Sequence, residues 1–198
     1  MKRIIFATGN EGKLREIRRI LEGMPYEVVS MKEANVQADI VEDGKTFEEN
    51  ALIKARTVSR LTGEIAMADD SGLVIDYLNG EPGIYSSRYM GEDTSYDIKN
   101  KALIDALAGV PDPQRTARFV CAAACVWPDG REKVCTAAME GRIGYEIAGK
   151  NGFGYDPIFY LPKKGMTSAE ISPEEKNEIS HRGKALRQMK KILEETVD

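Results

Sequence analysis

Six residues near the start, Thr8-Gly9-Asn10-Glu11-Gly12-Lys13, combine two glycines, small polar side chains and a lysine. That mixture suits an anion, because a glycine-rich turn at a helix start presents backbone N–H groups and Lys13 adds a full positive charge. It is not a P-loop, which needs four residues between its first glycine and a Gly-Lys pair, then Ser or Thr. Here two residues separate Gly9 from Gly12, and Leu14 follows Lys13. A second group, Asp69-Asp70-Ser71-Gly72, sets two carboxylates in succession. Magnesium takes oxygen ligands from one or two carboxylates together with substrate phosphates. Adjacent side chains on extended backbone point to opposite faces, so one of the two is expected to face a site. Glu42 stands in an acidic stretch with Asp39 and Asp43, ahead of Glu48 and Glu49, and Lys54 follows in Asn50-Ala51-Leu52-Ile53-Lys54-Ala55. The run Phe153-Gly154-Tyr155-Asp156-Pro157 offers aromatics that stack on a flat ligand and a carboxylate that accepts base or ribose hydrogen bonds. The single histidine, His181, lies between Ser180 and Arg182. It excludes a multi-histidine metal centre, so any metal must be held by carboxylates. Taken singly, each group also reads as an ordinary turn, a solvated acidic loop or a surface lysine.

The elements that must position these residues follow from periodicity. Ile4-Ile5-Phe6-Ala7 reads as a buried strand, and Leu14, Ile17, Ile20 and Leu21 recur at helical spacing behind the glycine turn. A strand is expected near Tyr26–Ser30. Thr46-Phe47-Glu48-Glu49 forms a capping box, with Thr46 and Glu49 each satisfying the other's backbone donor, before a helix that turns Ala51, Ala55, Val58 and Leu61 inward. Two strands, Ile65–Ala68 and Leu73–Tyr77, should flank the aspartates. A helix is expected from about Ser95 to Ala108. Arg118–Val126 and Glu132–Glu140 read as a hairpin closed through Pro128-Asp129-Gly130. A short strand at Ile158–Leu161, a second capping box at Ser172-Pro173-Glu174-Glu175 and a helix after Ser180 bearing Leu186, Met189 and Leu193 close the chain. Strand–helix alternation followed by antiparallel pairing gives an α/β architecture with a mixed sheet.

The totals bound the function. A chain of 198 residues is long enough for a sizeable core in one domain, 1–198, and no separable linker is visible. A net charge of −4 argues against a nucleic-acid-binding surface. Cys121, Cys125 and Cys135 lack any CxxC spacing and read as reduced, buried residues of a cytoplasmic protein. With no signal segment and no long apolar run, a soluble protein with no membrane partner is expected.

Six ordered motifs carry a resemblance that no single one supports. Thr8-Gly9-Asn10-x-x-Lys13, Thr46-Phe47-x-Glu49-Asn50-Ala51-x-x-Lys54-Ala55, Ala68-Asp69-Asp70-Ser71-Gly72-Leu73, Pro82-Gly83-Ile84-Tyr85-Ser86-x-Arg88-Tyr89, Gly152-Phe153-Gly154-Tyr155-Asp156-Pro157 and Ser180-His181-Arg182-Gly183 follow one another from Arg3 to about Leu193. The chain closely resembles the inosine triphosphatase family, which acts on purine nucleoside triphosphates carrying non-standard bases. The resemblance implies a pyrophosphatase that converts ITP, dITP and XTP to the monophosphate and pyrophosphate with Mg2+, working as a homodimer. It also implies an elongated mixed sheet with flanking helices in two lobes around a central cleft. By motif, Thr8, Gly9, Asn10, Glu11, Gly12 and Lys13 would hold the phosphates, with Lys54 near them. Asp70 would bind the metal and position or deprotonate the attacking water. Ser71, Phe153, Gly154, Tyr155, Asp156, Lys176, His181 and Arg182 would contact the nucleotide, with Arg182 or His181 aimed at the 6-oxo group of the base. Many relatives carry a glutamate three residues before the glycine matching Gly44, where this chain has Val41. Glu42 is the shifted substitute as metal ligand, and Glu49 is its rival. A pyrophosphatase of the related septum-inhibitor type, and a nucleotide sensor without turnover, are the competing readings. Ser180-His181-Arg182 argues against the first, and retention of the aspartates and lysines against the second.

Overall fold

The computed structural model describes residues 2–196. In chain order the elements are β1 (Lys2–Phe6), α1 (Glu11–Ile20), β2 (Tyr26–Ser30), α2 (Phe47–Thr62), β3 (Ile65–Ile75), α3 (Tyr96–Ala106), β4 (Thr116–Val126), β5 (Glu132–Ile143), β6 (Phe159–Leu161), β7 (Met166–Thr167), α4 (Pro173–Ile179) and α5 (His181–Glu195). The seven strands form one mixed sheet in the order β2-β1-β3-β4-β5-β6-β7. β1 runs parallel to both β2 and β3, in the register Phe6↔Ser30 and Phe6↔Met67, whereas β6 is antiparallel to β5 and β7. This is the mixed α/β sheet with flanking helices that the sequence implies. Two compact units divide the chain: Met1–Asp70, Cys121–Ala137 and His181–Asp198 form one, Ser71–Val120 and Ala138–Ser180 the other.

In the first unit the period-2 alternation of the strands sorts side chains into two cores. Ile4 and Phe6 of β1, Met67 of β3 and Cys121 and Cys125 of β4 pack with Leu14 and Ile17 of α1 and Leu186, Met189 and Leu193 of α5. Their neighbours Ile5, Ala7, Ala66, Ala68, Ala122 and Ala124 pack on the opposite face with Ala51, Ala55 and Val58 of α2. The cysteines are free and buried as expected, and burial, with Cys135 adding to it, pushes the Cys125 thiol up. In the second unit Leu73, Ile75, Phe119, Met139, Ile143 and Phe159 enclose Leu103 of α3 and its C-cap, Leu107. The Phe119 and Phe159 ring centroids lie 4.3 Å apart.

Three expectations need correction. β3 is one continuous strand through the aspartates rather than two strands flanking a turn, because Asp69 and Asp70 find cations that let extended backbone persist. Leu61 is 60% exposed and does not join the core of α2. The first capping box is not reciprocal: Thr46 Oγ1 accepts the Glu49 N–H at 3.1 Å, but the Glu49 carboxylate accepts the N–H of Lys45 instead of Thr46. Likewise Ser172 caps Glu175 while the Glu175 carboxylate turns to Lys164. Among the described residues no helix is long and apolar enough to cross a membrane.

Candidate active site

A parallel sheet builds its ligand site where consecutive connections leave in opposite directions, at the carboxyl ends of the strands. β1 lies between β2 and β3, α1 packs on one face and α2 on the other, so that point falls between β1 and β3. The turn after β1 carries Thr8 to Lys13, and β3 brings Asp69 and Asp70 two and three residues beyond its pairing with Phe6. The alternation that sorts the cores also sorts the aspartates. Asp69 continues the Met67 face toward α1 and α5, and Asp70 the Ala68 face toward α2. Only one carboxylate was expected to face a site. Each instead meets its own lysine, because helices cover both faces.

On the first face Asp69 is 1% exposed, and its Oδ2 lies 3.2 Å from Lys13 Nζ and 3.1 Å from Arg182 Nε. The Cys121 Sγ approaches the same oxygen at 3.9 Å. Arg182 is itself buried and donates from Nη1 to Glu16 Oε2 at 2.6 Å. Burial opposes its charge, but Asp69 and Glu16 outweigh that and hold the guanidinium's pKa above its ordinary value. His181 is buried beside it at the start of α5. The guanidinium thus bridges two carboxylates of its own chain.

On the second face Lys54 is paired with Glu42, and its Nζ lies 3.7 Å from Asp70 Oδ1. Burial works to lower the Lys54 pKa, but Asp69, Asp70 and Glu42 together raise it, so the ammonium stays charged. Asp70 behaves in the opposite way. Burial raises its pKa, Lys54 opposes that, and the neighbouring Glu42 carboxylate raises it further. The nearby Asn50 side chain works to lower it, and Asn50 Oδ1 accepts the Gly44 N–H at 2.9 Å. Glu42 therefore stands by Lys54 and Asp70, whereas Glu49 is spent on Lys45. Among the described residues no group of three or more His, Cys, Asp or Glu side chains gathers as a metal cage. The buried Asp70 Oδ2 accepts no hydrogen bond. Two mutually repelling carboxylates with an open buried oxygen are the donor set a magnesium ion uses when phosphates and water complete its shell.

The turn itself is shaped internally. Thr8 Oγ1 accepts the Asn10 N–H, and Asn10 Oδ1 caps α1 by accepting the Lys13 N–H, both at 3.1 Å. A Cβ on Gly9 would meet nothing within 4 Å, so its bare backbone leaves an approach open rather than relieving a clash. Beside Thr8 and Gly9 a cavity of about 490 Å³ reaches to Met31, Lys32 and Gln37.

The second unit holds the other motif residues. Asp156, 2% exposed, accepts from Phe153 N at 2.9 Å and Lys176 Nζ at 2.6 Å through Oδ2, and from Ser168 Oγ at 2.7 Å through Oδ1. The Lys176 ammonium lies 4.7 Å from the centroid of the Phe153 ring. Gly152 is obligatory here: its φ is +71° and a Cβ would come within 2.2 Å of Asp156 Oδ2. Asn100 Nδ2 donates to the Gly154 carbonyl at 3.1 Å, and the Tyr155 hydroxyl donates to Ser86 O at 2.5 Å. Ser71 is half-buried on β3. Asp156, expected to accept from base or ribose, is occupied in holding its own loop. Sequence reading passed over Glu16, Asn50, Asn100 and Ser168. Only Asn50 stood inside a quoted motif, and the others are polar side chains whose partners lie far off in sequence.

A model described as the Ham1 family matches residues 4–192. The dITP/XTP pyrophosphatase of Bacillus licheniformis is 48% identical over 196 residues, covering 98% of this chain and 100% of that protein. The protein of the same description from Geobacter sulfurreducens is 47% identical over 193 residues, 98% of this chain and 97% of its own. Among solved structures, a HAM1 protein from Coxiella burnetii superposes with a TM-score of 0.90 at 43% identity, covering 98% of this chain and 100% of that one. The Staphylococcus aureus Ham1 protein gives a TM-score of 0.89 at 40% identity, with the same coverages. With the family's pattern matched along nearly its whole length and its fold shared throughout, this chain belongs to the Ham1 family.

Proposed function

We propose that this chain is a nucleoside triphosphate pyrophosphatase that hydrolyses dITP, ITP and XTP to the monophosphate and pyrophosphate with Mg2+, clearing such nucleotides from the pool. The observation that carries this reading is the placement of a lysine–carboxylate group on each face of β3, Lys13 with Asp69 and Lys54 with Asp70, at the end of a glycine turn. A triphosphate needs its charge offset on more than one side, and the two lysines supply this. Asp70 and Glu42 would hold the metal, which when bound polarises the phosphate oxygens and acidifies water. Water attacks the α-phosphorus, the α–β bridging bond breaks, and its electron pair leaves with pyrophosphate. Asp70, whose burial and Glu42 neighbour raise its proton affinity, accepts the proton from that water. Lys13 and Lys54 neutralise the leaving group. Ser71, Phe153, Gly154, Tyr155, Lys176 and His181 keep the nucleotide-contacting roles carried by their motifs, and Asp156 serves them by fixing the Lys176 ammonium and the Phe153 amide. The family resemblance further proposes a homodimer in the cytoplasm, the first of which sedimentation tests.

The test is hydrolysis of dITP, ITP, XTP, GTP and ATP with magnesium in 18O-labelled water. Label in the monophosphate, unlabelled pyrophosphate and sparing of GTP and ATP are expected. Release of orthophosphate, or label in pyrophosphate, would move the attack away from the α-phosphorus.

A further inference from the structure

Asn100 stands in the middle of α3 and is 1% exposed. Asparagine is a weak helix former, because its amide competes for backbone hydrogen bonds. A buried amide also carries a desolvation cost at whichever end finds no partner. Here one end is satisfied: Nδ2 donates to Gly154 O at 3.1 Å, while the buried Oδ1 accepts from none of the described residues. A leucine of similar size would suit both the helix and the core, so what the asparagine supplies is the bond to Gly154.

That bond reaches the loop to which the proposed function gives nucleotide contacts. Gly154 has a φ of +66°, a conformation glycine adopts without cost, so no side chain of its own fixes the backbone there. α3 fixes it from outside. Tyr96, one turn before Asn100 on the same helix face, packs edge-on against the Tyr155 ring with centroids 5.1 Å apart. The Tyr155 hydroxyl is held by Ser86 O. These contacts anchor the Tyr155 side chain but leave the peptide before it free to turn. Asn100 sets that peptide: with the Gly154 carbonyl directed at Asn100, the Tyr155 N–H of the trans bond is directed the opposite way. We propose that Asn100 is a positioning residue for nucleotide binding: by holding the Gly154 carbonyl, it keeps the Gly154–Tyr155 peptide in the orientation that meets the nucleoside. The proposal rests on the reading of that loop as a nucleotide contact, and no motif includes Asn100.

The experiment uses the full chain, Asn100→Leu, and Asn100→Asp, which keeps the shape but faces the carbonyl with an acceptor. KM and kcat for ITP are measured beside calorimetric binding of IMP and of inorganic pyrophosphate, with magnesium held constant. We expect both variants to bind IMP about three- to tenfold more weakly, the worth of one hydrogen bond, and KM to rise by the same factor. Turnover number and pyrophosphate binding should stay at wild-type values, because the lost contact is one of uniform binding at the nucleoside end. The urea midpoint of Asn100→Leu should not fall, since the unpaired oxygen is removed together with the bond. An unchanged KM in Asn100→Leu would overturn the proposal, for the loop would then keep its course without the bond. A lowered midpoint in Asn100→Leu, an equal weakening of pyrophosphate binding, or failure of both variants to fold would make Asn100 a structural residue and overturn it as well. If Asn100→Asp alone fails to fold, Asn100→Leu decides. A wild-type chain that binds IMP yet turns over no ITP would fail the proposed function while leaving the binding comparison readable.

Discussion

Asp70 illustrates a residue placed for chemistry against the interest of stability. Its folded pKa is raised, by burial first and by Glu42 after Lys54 has opposed it. Below the unfolded value near 3.8 the carboxyl is protonated in both states and costs nothing. As pH climbs from there to the folded value the penalty grows, and above it stays constant. Asp70→Asn should therefore lose at least about a hundredfold in kcat, the lower end of general-base effects. The same variant, without metal, should melt higher than the wild-type chain at pH 7, by about 2–4 °C for each kcal/mol of relieved penalty. That gain should shrink to nothing as the pH falls below 4, following the carboxyl's unfolded value of 3.8. Calorimetric melts at both pH values check it, and a lower Tm at pH 7 would mean that Lys54 needs Asp70 more than Glu42 repels it. At this scale the sequence was most readable where a side chain acts alone. Lys13 and Lys54 each stand beside one of the two β3 aspartates, whereas Asp156 and Arg182 also hold partners 20 and 113 residues away. Residue type does not reveal whether a hydrogen-bonding valence is already occupied.

At the scale of elements, α2 is the lever of the second face, because its first turns carry Asn50 and Lys54. The segment before it is locked by a close approach. A Cβ on Gly44 would fall 2.6 Å from Asn50 Oδ1 and 2.8 Å from Glu49 Cβ. Gly44→Ala must therefore displace the Asn50 amide from the Gly44 N–H and shift it beside Asp70. We expect a loss of about 1–3 kcal/mol of stability, that of a buried polar group deprived of its partner, read from urea unfolding. Activity should fall with it, whereas Thr46→Ala, which removes the cap 3.1 Å from the Glu49 N–H, should cost only about 1 kcal/mol and spare kcat. Equal losses of kcat in both would show that helix stability rather than the Asn50 bond governs the site. Helices and their starts were legible, since apolar spacing and cap residues are local signals. The unbroken course of β3 was not, since two adjacent aspartates read as a turn until the lysines that neutralise them are brought in by α1 and α2.

At the scale of the molecule, β3, β4 and β5 each contribute residues to both units. Loss of order in one unit must therefore shorten the strands of the other, which predicts a single unfolding transition although each unit has its own core. The second unit offers a way to perturb it from within. Arg115, 1% exposed, donates from Nε to Ile143 O at 2.8 Å, from Nη1 to Leu107 O at 2.7 Å and from Nη2 to Gly144 O at 2.7 Å. Its guanidinium also lies 4.1 Å from the centroid of the Tyr145 ring. Truncation takes this donor from Ile143 O and Gly144 O, leaves Leu107 O with only the Val110 N–H, and opens a cavity, so Arg115→Ala should lose about 3–5 kcal/mol. The only tryptophan, Trp127, is buried in the core of the first unit. Its fluorescence should report the Arg115→Ala destabilisation with the same shift in urea midpoint that far-UV dichroism records for the whole chain. A Trp127 midpoint left at its wild-type value while the dichroism moves would mean that the shared strands do not couple the units. The two would then melt as independent bodies.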